Sequence, residues 1–113
     1  MRYQGGKSRI AKPIASAIER ERESNNTLVS LFCGSCSIES KLAPNFDRVI
    51  CNDKHKYLIE MFKALQNGYE LPEYISEEQY KYIREHKDED MALTGFVGFG
   101  CSFGGRFFEG YAR

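Results

Sequence analysis

Apolar residues recur at helical spacing along SRIAKPIASAIERERE, at Ile10, Ile14, Ala15, Ala17 and Ile18. The pattern predicts a helix with Ser8 as N-cap and a slightly late start or a kink at Pro13. ESNNT reads as a polar turn. TLVSLF, a short apolar run bounded by turn signals, predicts a buried strand. CGSCS is then a tight loop, SIESKLA a short helix, and DRVICND a second strand that ends in Asn52 and Asp53. HKYLIEMFKALQNG returns to helical spacing through Leu58, Ile59, Met61, Phe62 and Leu65, and Gly68 is its natural stop. SEEQYKYIREHK predicts another helix, capped by Ser76 with acids in its first turn. The closing MALTGFVGFGCSFGGRFFEGYAR is rich in Gly and Phe and shows no clean period. It reads as a helix that breaks into a loop near Gly104 and Gly105. Turn residues from Asn67 to Pro72 separate two patterned halves.

Composition narrows this to one domain with a modest core, since the chain has 113 residues. No apolar run approaches a membrane span, and the amino terminus lacks the apolar centre of a signal peptide, which predicts a cytoplasmic protein with free thiols. The formal net charge of zero argues against a general polyanion binder. Charge is nonetheless uneven. Arg2, Lys7, Arg9 and Lys12 face no acid in the first twelve residues, whereas Glu70 to Asp90 holds eight acids against three bases. Any nucleic-acid contact is therefore expected from the chain ends.

Gly6-Lys7-Ser8 suggests a phosphate loop, but the spacing excludes it. The first glycine of a Walker A loop would fall on Met1, and no residues remain for the strand that must feed it. Further on, the order strand, glycine loop, helix, strand, acid is half of a nucleotide-binding α/β unit. Gly34 precedes Asp53 by nineteen residues, close to the spacing at which such an acid meets ribose hydroxyls. Asp53 is equally suited to cap the following helix. Cys33 and Cys36 form a C-x-x-C without the further ligands a zinc site needs, so no metal site is expected. The pair reads as a thioredoxin-like dithiol, though no Trp flanks it, or as two small thiols in a tight turn. The glycines and aromatics of GFGCSFGGRFFEGYAR, with Arg106 and Arg113, suit stacking and phosphate contact along a nucleic acid, or an apolar edge that packs on another surface.

Taken in order, RYQGGKSR, LFCGSCSIE and CND resemble the amino-terminal part of Dam-type DNA adenine methyltransferases, particularly phage and prophage members, over nearly the whole chain. The resemblance implies an α/β chain with an incomplete Rossmann-like fold of the S-adenosylmethionine (SAM)-dependent methyltransferases: two strands with flanking helices, then a mainly helical segment. Residues 1–68 would be the SAM-binding part and 69–113 the helical start of the target-recognition region. Tyr3, Gly6 and Lys7 would flank the methionine end of SAM, with Lys7 neutralising its carboxylate. Phe32 and Gly34 would form the loop beneath the cofactor, and Asp53 would take the ribose hydroxyls. Arg2, Arg106 and Arg113 are the expected contacts to duplex DNA.

Three positions depart from the family pattern: Ser30 replaces an acid, Leu31 a proline and Cys36 the second loop glycine, which weakens the expected grip on SAM. The family's catalytic Asp-Pro-Pro-Tyr is missing, because Pro13, Pro44 and Pro72 are nowhere adjacent. The expectation is thus a SAM-binding portion that is inactive alone and completed by a catalytic chain or a second copy. The alternative is a stand-alone, non-catalytic module that binds SAM, DNA or a host protein, such as a phage-encoded decoy against a defence system. A thioredoxin-like protein is a third.

Overall fold

The computed structural model describes residues 3–113, so Arg2 lies outside the described residues. The order is α1 (Ala11–Glu21), β1 (Thr27–Ser30), α2 (Glu39–Leu42), β2 (Arg48–Cys51), α3 (Lys56–Gln66), α4 (Glu77–Glu85) and α5 (Met91–Gly100). Short 3-10 turns follow α2 and α5. The chain forms two compact units. A sheet unit comprises Gly5–Lys54, and a helical unit comprises residues 3–4 with His55–Arg113. The units divide at Lys54 and His55 rather than at the Asn67 to Pro72 turn, because α3 packs along α5 and so belongs with the carboxyl-terminal segment. Among the described residues, no helix is long and apolar enough to cross a membrane.

In the sheet unit, β1 and β2 pair in parallel, with Thr27 opposite Arg48 and Ser30 opposite Cys51. Helix α1 packs on α2, and Ala11, Ala15 and Leu42 are buried. The helix starts late, as Pro13 suggested. Its cap position is Ile10, which makes no side-chain cap bond. Ser8 is not the cap, since residues 8–10 form a turn closed by the Ile10 amide on the Lys7 carbonyl at 3.1 Å. Pro13 occupies the first helical turn, where a missing N–H breaks no intrahelical bond. Arg22 ties the far end of α1 to the approach of β2: it donates to the Asn45 carbonyl and to Asn26 Oδ1, and its guanidinium lies 3.9 Å from the Phe46 ring centre.

The helical unit keeps the predicted stops and starts. Gly68 takes a left-handed φ of 88° after α3. The Gly68 amide donates to the Leu65 carbonyl and the Tyr69 amide to Ala64, the paired bonds of a Schellman ending. Ser76 Oγ accepts from the Gln79 amide while Gln79 Oε1 accepts from the Ser76 amide, a complete capping box for α4. Asp90 caps α5 through the Leu93 amide. Helix α5 ends at Gly100, sooner than the glycine pair suggested, and is buried at Ala92, Thr94, Gly95, Val97, Gly98 and Phe99. An apolar surface all round, with no stripe, is what a helix enclosed on several sides requires.

A buried polar chain holds the last segment in place. The Tyr80 hydroxyl and Ser102 Oγ lie 2.7 Å apart; Ser102 Oγ donates to the Gly98 carbonyl, and the Gly110 amide donates to the Tyr80 hydroxyl. These bonds fix the direction: Tyr80 donates to Ser102. Ser102→Ala therefore leaves a buried phenol without its acceptor, and unfolding free energy is expected to fall by about 1–3 kcal/mol, read by urea denaturation. Tyr80→Phe combined with Ser102→Ala is expected to cost less than the sum of the two single changes, because both remove the same bond.

Candidate functional site

The carboxyl ends of β1 and β2 assemble the residues the sequence singled out. Beyond the strands the backbone ladder continues, with the Asn52 amide donating to the Ser30 carbonyl and the Cys33 amide to Asn52, each at 2.8 Å. Asn52 Nδ2 reaches the Leu31 carbonyl. This seam sets the two strand ends side by side. Gly34, at φ 54°, then points its amide at Asp53 Oδ2, 3.0 Å away. Asp53 is not the cap of α3, as the sequence also allowed; the cap position is His55, and the carboxylate closes the glycine loop instead.

Cys36 stands where the family pattern has the second loop glycine, and it adopts the glycine conformation, φ 62°. The loop backbone thus follows a glycine path without the glycine, at a cost of about 1–2 kcal/mol for an L-residue in the left-handed region. Ser30, at the position of the family's acid, donates to the buried Glu39 carboxylate at 2.6 Å and ties the end of β1 to α2. The Phe32 ring is 87% exposed at the loop edge.

Of the other expected site residues, Gly6 and Lys7 belong to the sheet unit, and Tyr3, Arg106 and Arg113 to the helical unit. Gly6 and Lys7 stand in the exposed stretch before α1, where Lys7 Nζ donates to the Gly5 carbonyl. Tyr3 belongs to the helical unit, its ring 4.8 Å from that of Phe99, beside Leu58 and Met61. Arg106 pairs with Glu109 at 3.9 Å, and Arg113 grips both oxygens of Glu77 at 2.8 and 2.9 Å. Both pairs are exposed to solvent. Most aromatics of GFGCSFGGRFFEGYAR turn inward. Phe99 and Phe108 are buried and Phe107 packs between them, while Phe103 remains 75% exposed. The stretch builds the core of its own unit rather than a bare stacking track.

Sequence reasoning missed the partner of the C-x-x-C pair. Cys51, the last residue of β2, comes beside Cys33 and Cys36, and the three Sγ atoms all lie within 4.8 Å of one another. Aligning the ends of two parallel strands, LFC against CND, is the signal that would have found it. Burial pushes the Cys33 thiol up to about 11 and also raises those of Cys36 and Cys51. A nucleophilic dithiol needs the opposite shift, so the thioredoxin-like reading has no chemical support here.

No curated protein and no solved structure matches the chain. The family model for D12 class N6 adenine-specific DNA methyltransferases matches residues 3–95, which takes in the glycine loop, Asp53, α3, α4 and the first half of α5. With residues 3–95 matched, the chain belongs to the D12 class N6 adenine-specific DNA methyltransferase family.

Proposed function

We propose that the chain is the SAM-binding amino-terminal portion of an adenine-specific DNA methyltransferase, with residues 1–68 serving the cofactor and 69–113 beginning the target-recognition region. The observation that carries this reading is the bond from the Gly34 amide to Asp53 at the carboxyl ends of β1 and β2, in a chain of this family. A ligand bound there meets a backbone without a Cβ at Gly34 and a carboxylate able to accept from ribose hydroxyls.

The loop fits such a cofactor. Cys36 keeps the backbone on a glycine path, and Phe32 offers an exposed apolar ring. Lys7 supplies an ammonium for the cofactor carboxylate, and Tyr3 and Gly6 flank that end. Bound SAM supplies the electrophilic methyl group; the chain's own residues bind and orient it. Arg2, Arg106 and Arg113 are the contacts to the DNA backbone. The Asp-Pro-Pro-Tyr that would hold the extruded adenine is not in these 113 residues. Methyl transfer therefore requires a catalytic half, whose strands would also cover the exposed Val29 of β1 and Ile50 of β2.

Calorimetric titration with SAM tests the cofactor reading. The chain is expected to bind one equivalent, and Lys7→Ala to weaken binding by about 10–100-fold, the loss of one charge-assisted bond. Absence of heat for the parent chain would overturn the reading. In a labelled-methyl assay on unmethylated duplex DNA, no turnover is expected from these residues alone.

A further inference from the structure

The three thiols at the ends of β1 and β2 are not needed to hold SAM, and no part of the cofactor reading explains why they meet. We infer that Cys33, Cys36 and Cys51 form a binding site for a soft, thiophilic metal ion held by three thiolates, cuprous copper being the ion whose coordination they complete unaided.

The fold builds this cluster from separate parts of the chain. Cys51 is fixed by the β2 ladder, opposite Ser30. Cys33 is buried and is fixed by its amide bond to the Asn52 carbonyl. The turn that bonds the Cys36 amide to the Cys33 carbonyl at 2.9 Å, with Cys36 at φ 62°, brings the third sulfur back to the other two. Glycine would hold that turn without strain, yet the position carries a thiol.

The sulfur spacing suits one ion. Three sulfurs around an ion at about 2.3 Å lie about 4 Å from one another. The thiols already stand within 4.8 Å, so closure needs only small side-chain movement. The donor set also selects the ion. Among the described residues the cluster contains thiols alone, with no imidazole or carboxylate. Thiolate sulfur favours cuprous copper and zinc. Zinc would complete its tetrahedron here only by adding a ligand such as water from outside the cluster, whereas cuprous copper is satisfied by three sulfurs alone. Entry of the ion displaces the thiol protons; no electron is transferred, and each proton passes to solvent.

The test uses the full chain, reduced and anaerobic, in competition with a chromophoric cuprous chelator such as bicinchoninate. One equivalent of cuprous ion is expected to leave the chelator. Cys33→Ser, Cys51→Ser and Cys36→Gly are each expected to weaken uptake at least tenfold, and Cys101→Ser to leave it unchanged. Cys36→Gly is the decisive variant, because glycine relaxes the backbone there and misfolding cannot explain a loss; unchanged far-ultraviolet dichroism checks this. Uptake that survives Cys36→Gly, or no uptake by the parent chain, overturns the site. Zinc held as tightly as cuprous copper in a parallel competition overturns the three-coordinate assignment. None of these readings involves SAM, so the site stands or falls apart from the cofactor.

Discussion

Gly95→Ala is expected to destabilise the helical unit by about 2–3 kcal/mol, against the ordinary preference of a helix for alanine. Within a helix, alanine in place of glycine is worth about 1 kcal/mol in the stabilising direction. At Gly95 the new Cβ would sit 2.3 Å from the Tyr57 carbonyl oxygen, 2.9 Å from its carbon and 3.1 Å from Met61 Cβ. The obstacle is the backbone of α3, so relief requires α3 and α5 to separate along their length. Overpacking of a core costs about 1–3 kcal/mol and sometimes more, and here it has no side chain to push aside. Gly98→Ala meets the rings of Phe107 and Phe108 at 2.2 and 2.8 Å, which can tilt, so its loss should be smaller. All seven tyrosines lie in the helical unit, and the chain has no tryptophan. Near-ultraviolet tyrosine dichroism therefore follows this unit alone during heating. Its midpoint is expected to fall by about 10–20 °C in Gly95→Ala. An unchanged or higher midpoint would show that α3 and α5 are not in backbone contact at this point.

The same glycines explain where the sequence was hard to read. Helices α1, α3 and α4 announce themselves through spacing and through local signals that need no partner: Pro13, Gly68, and the Ser76–Gln79 box. Helix α5 has no polar face to give a period, and its Gly95 and Gly98 look like breakers until Tyr57 and Phe107 are seen to occupy the space a side chain would need. Its true end at Gly100 depends on the Tyr80–Ser102 bonds, which join positions far apart in the chain. Ser8 failed as a cap for a related reason. A cap is local, but the turn across residues 8–10 had already used the backbone ahead of the helix.

At the site, Gly34 and Asp53 were legible because each follows closely on a strand, and parallel pairing of the strands sets the two following segments side by side. Their direct bond was not legible, since it depends on the rotation of the loop at φ 54°. Nor was the third thiol. Cys51 looked like one apolar position of a strand, and only the register of β1 on β2 sets it beside the C-x-x-C. Motif spacing finds ligands that share a loop. It misses ligands whose neighbourhood is created by pairing across a sheet.

Asp53 carries two loads, and two variants are expected to separate them. Its Oδ2 accepts from the Gly34 amide, which holds the loop, and in the proposed reading the carboxylate also accepts from the ribose hydroxyls. Asparagine can replace the first function, because its side-chain oxygen still accepts from an amide. It replaces the second poorly, since one acceptor becomes an N–H donor and the charge is lost. Asp53→Asn should therefore leave the thermal midpoint nearly unchanged and weaken SAM binding by about 10–100-fold, equivalent to about 1.5–3 kcal/mol for hydrogen bonds to a charged group. Alanine replaces neither function. It leaves the Gly34 amide without its acceptor, at a further cost of about 1–3 kcal/mol in stability of the sheet unit, and it should reduce SAM binding below the asparagine variant because the loop is no longer held. Calorimetry and thermal denaturation on the same three proteins decide the matter. If asparagine and alanine weaken SAM equally and neither alters stability, the bond to Gly34 does not organise the loop. If both bind SAM as the parent does, Asp53 is a structural acceptor only, and the ribose must find its partner elsewhere.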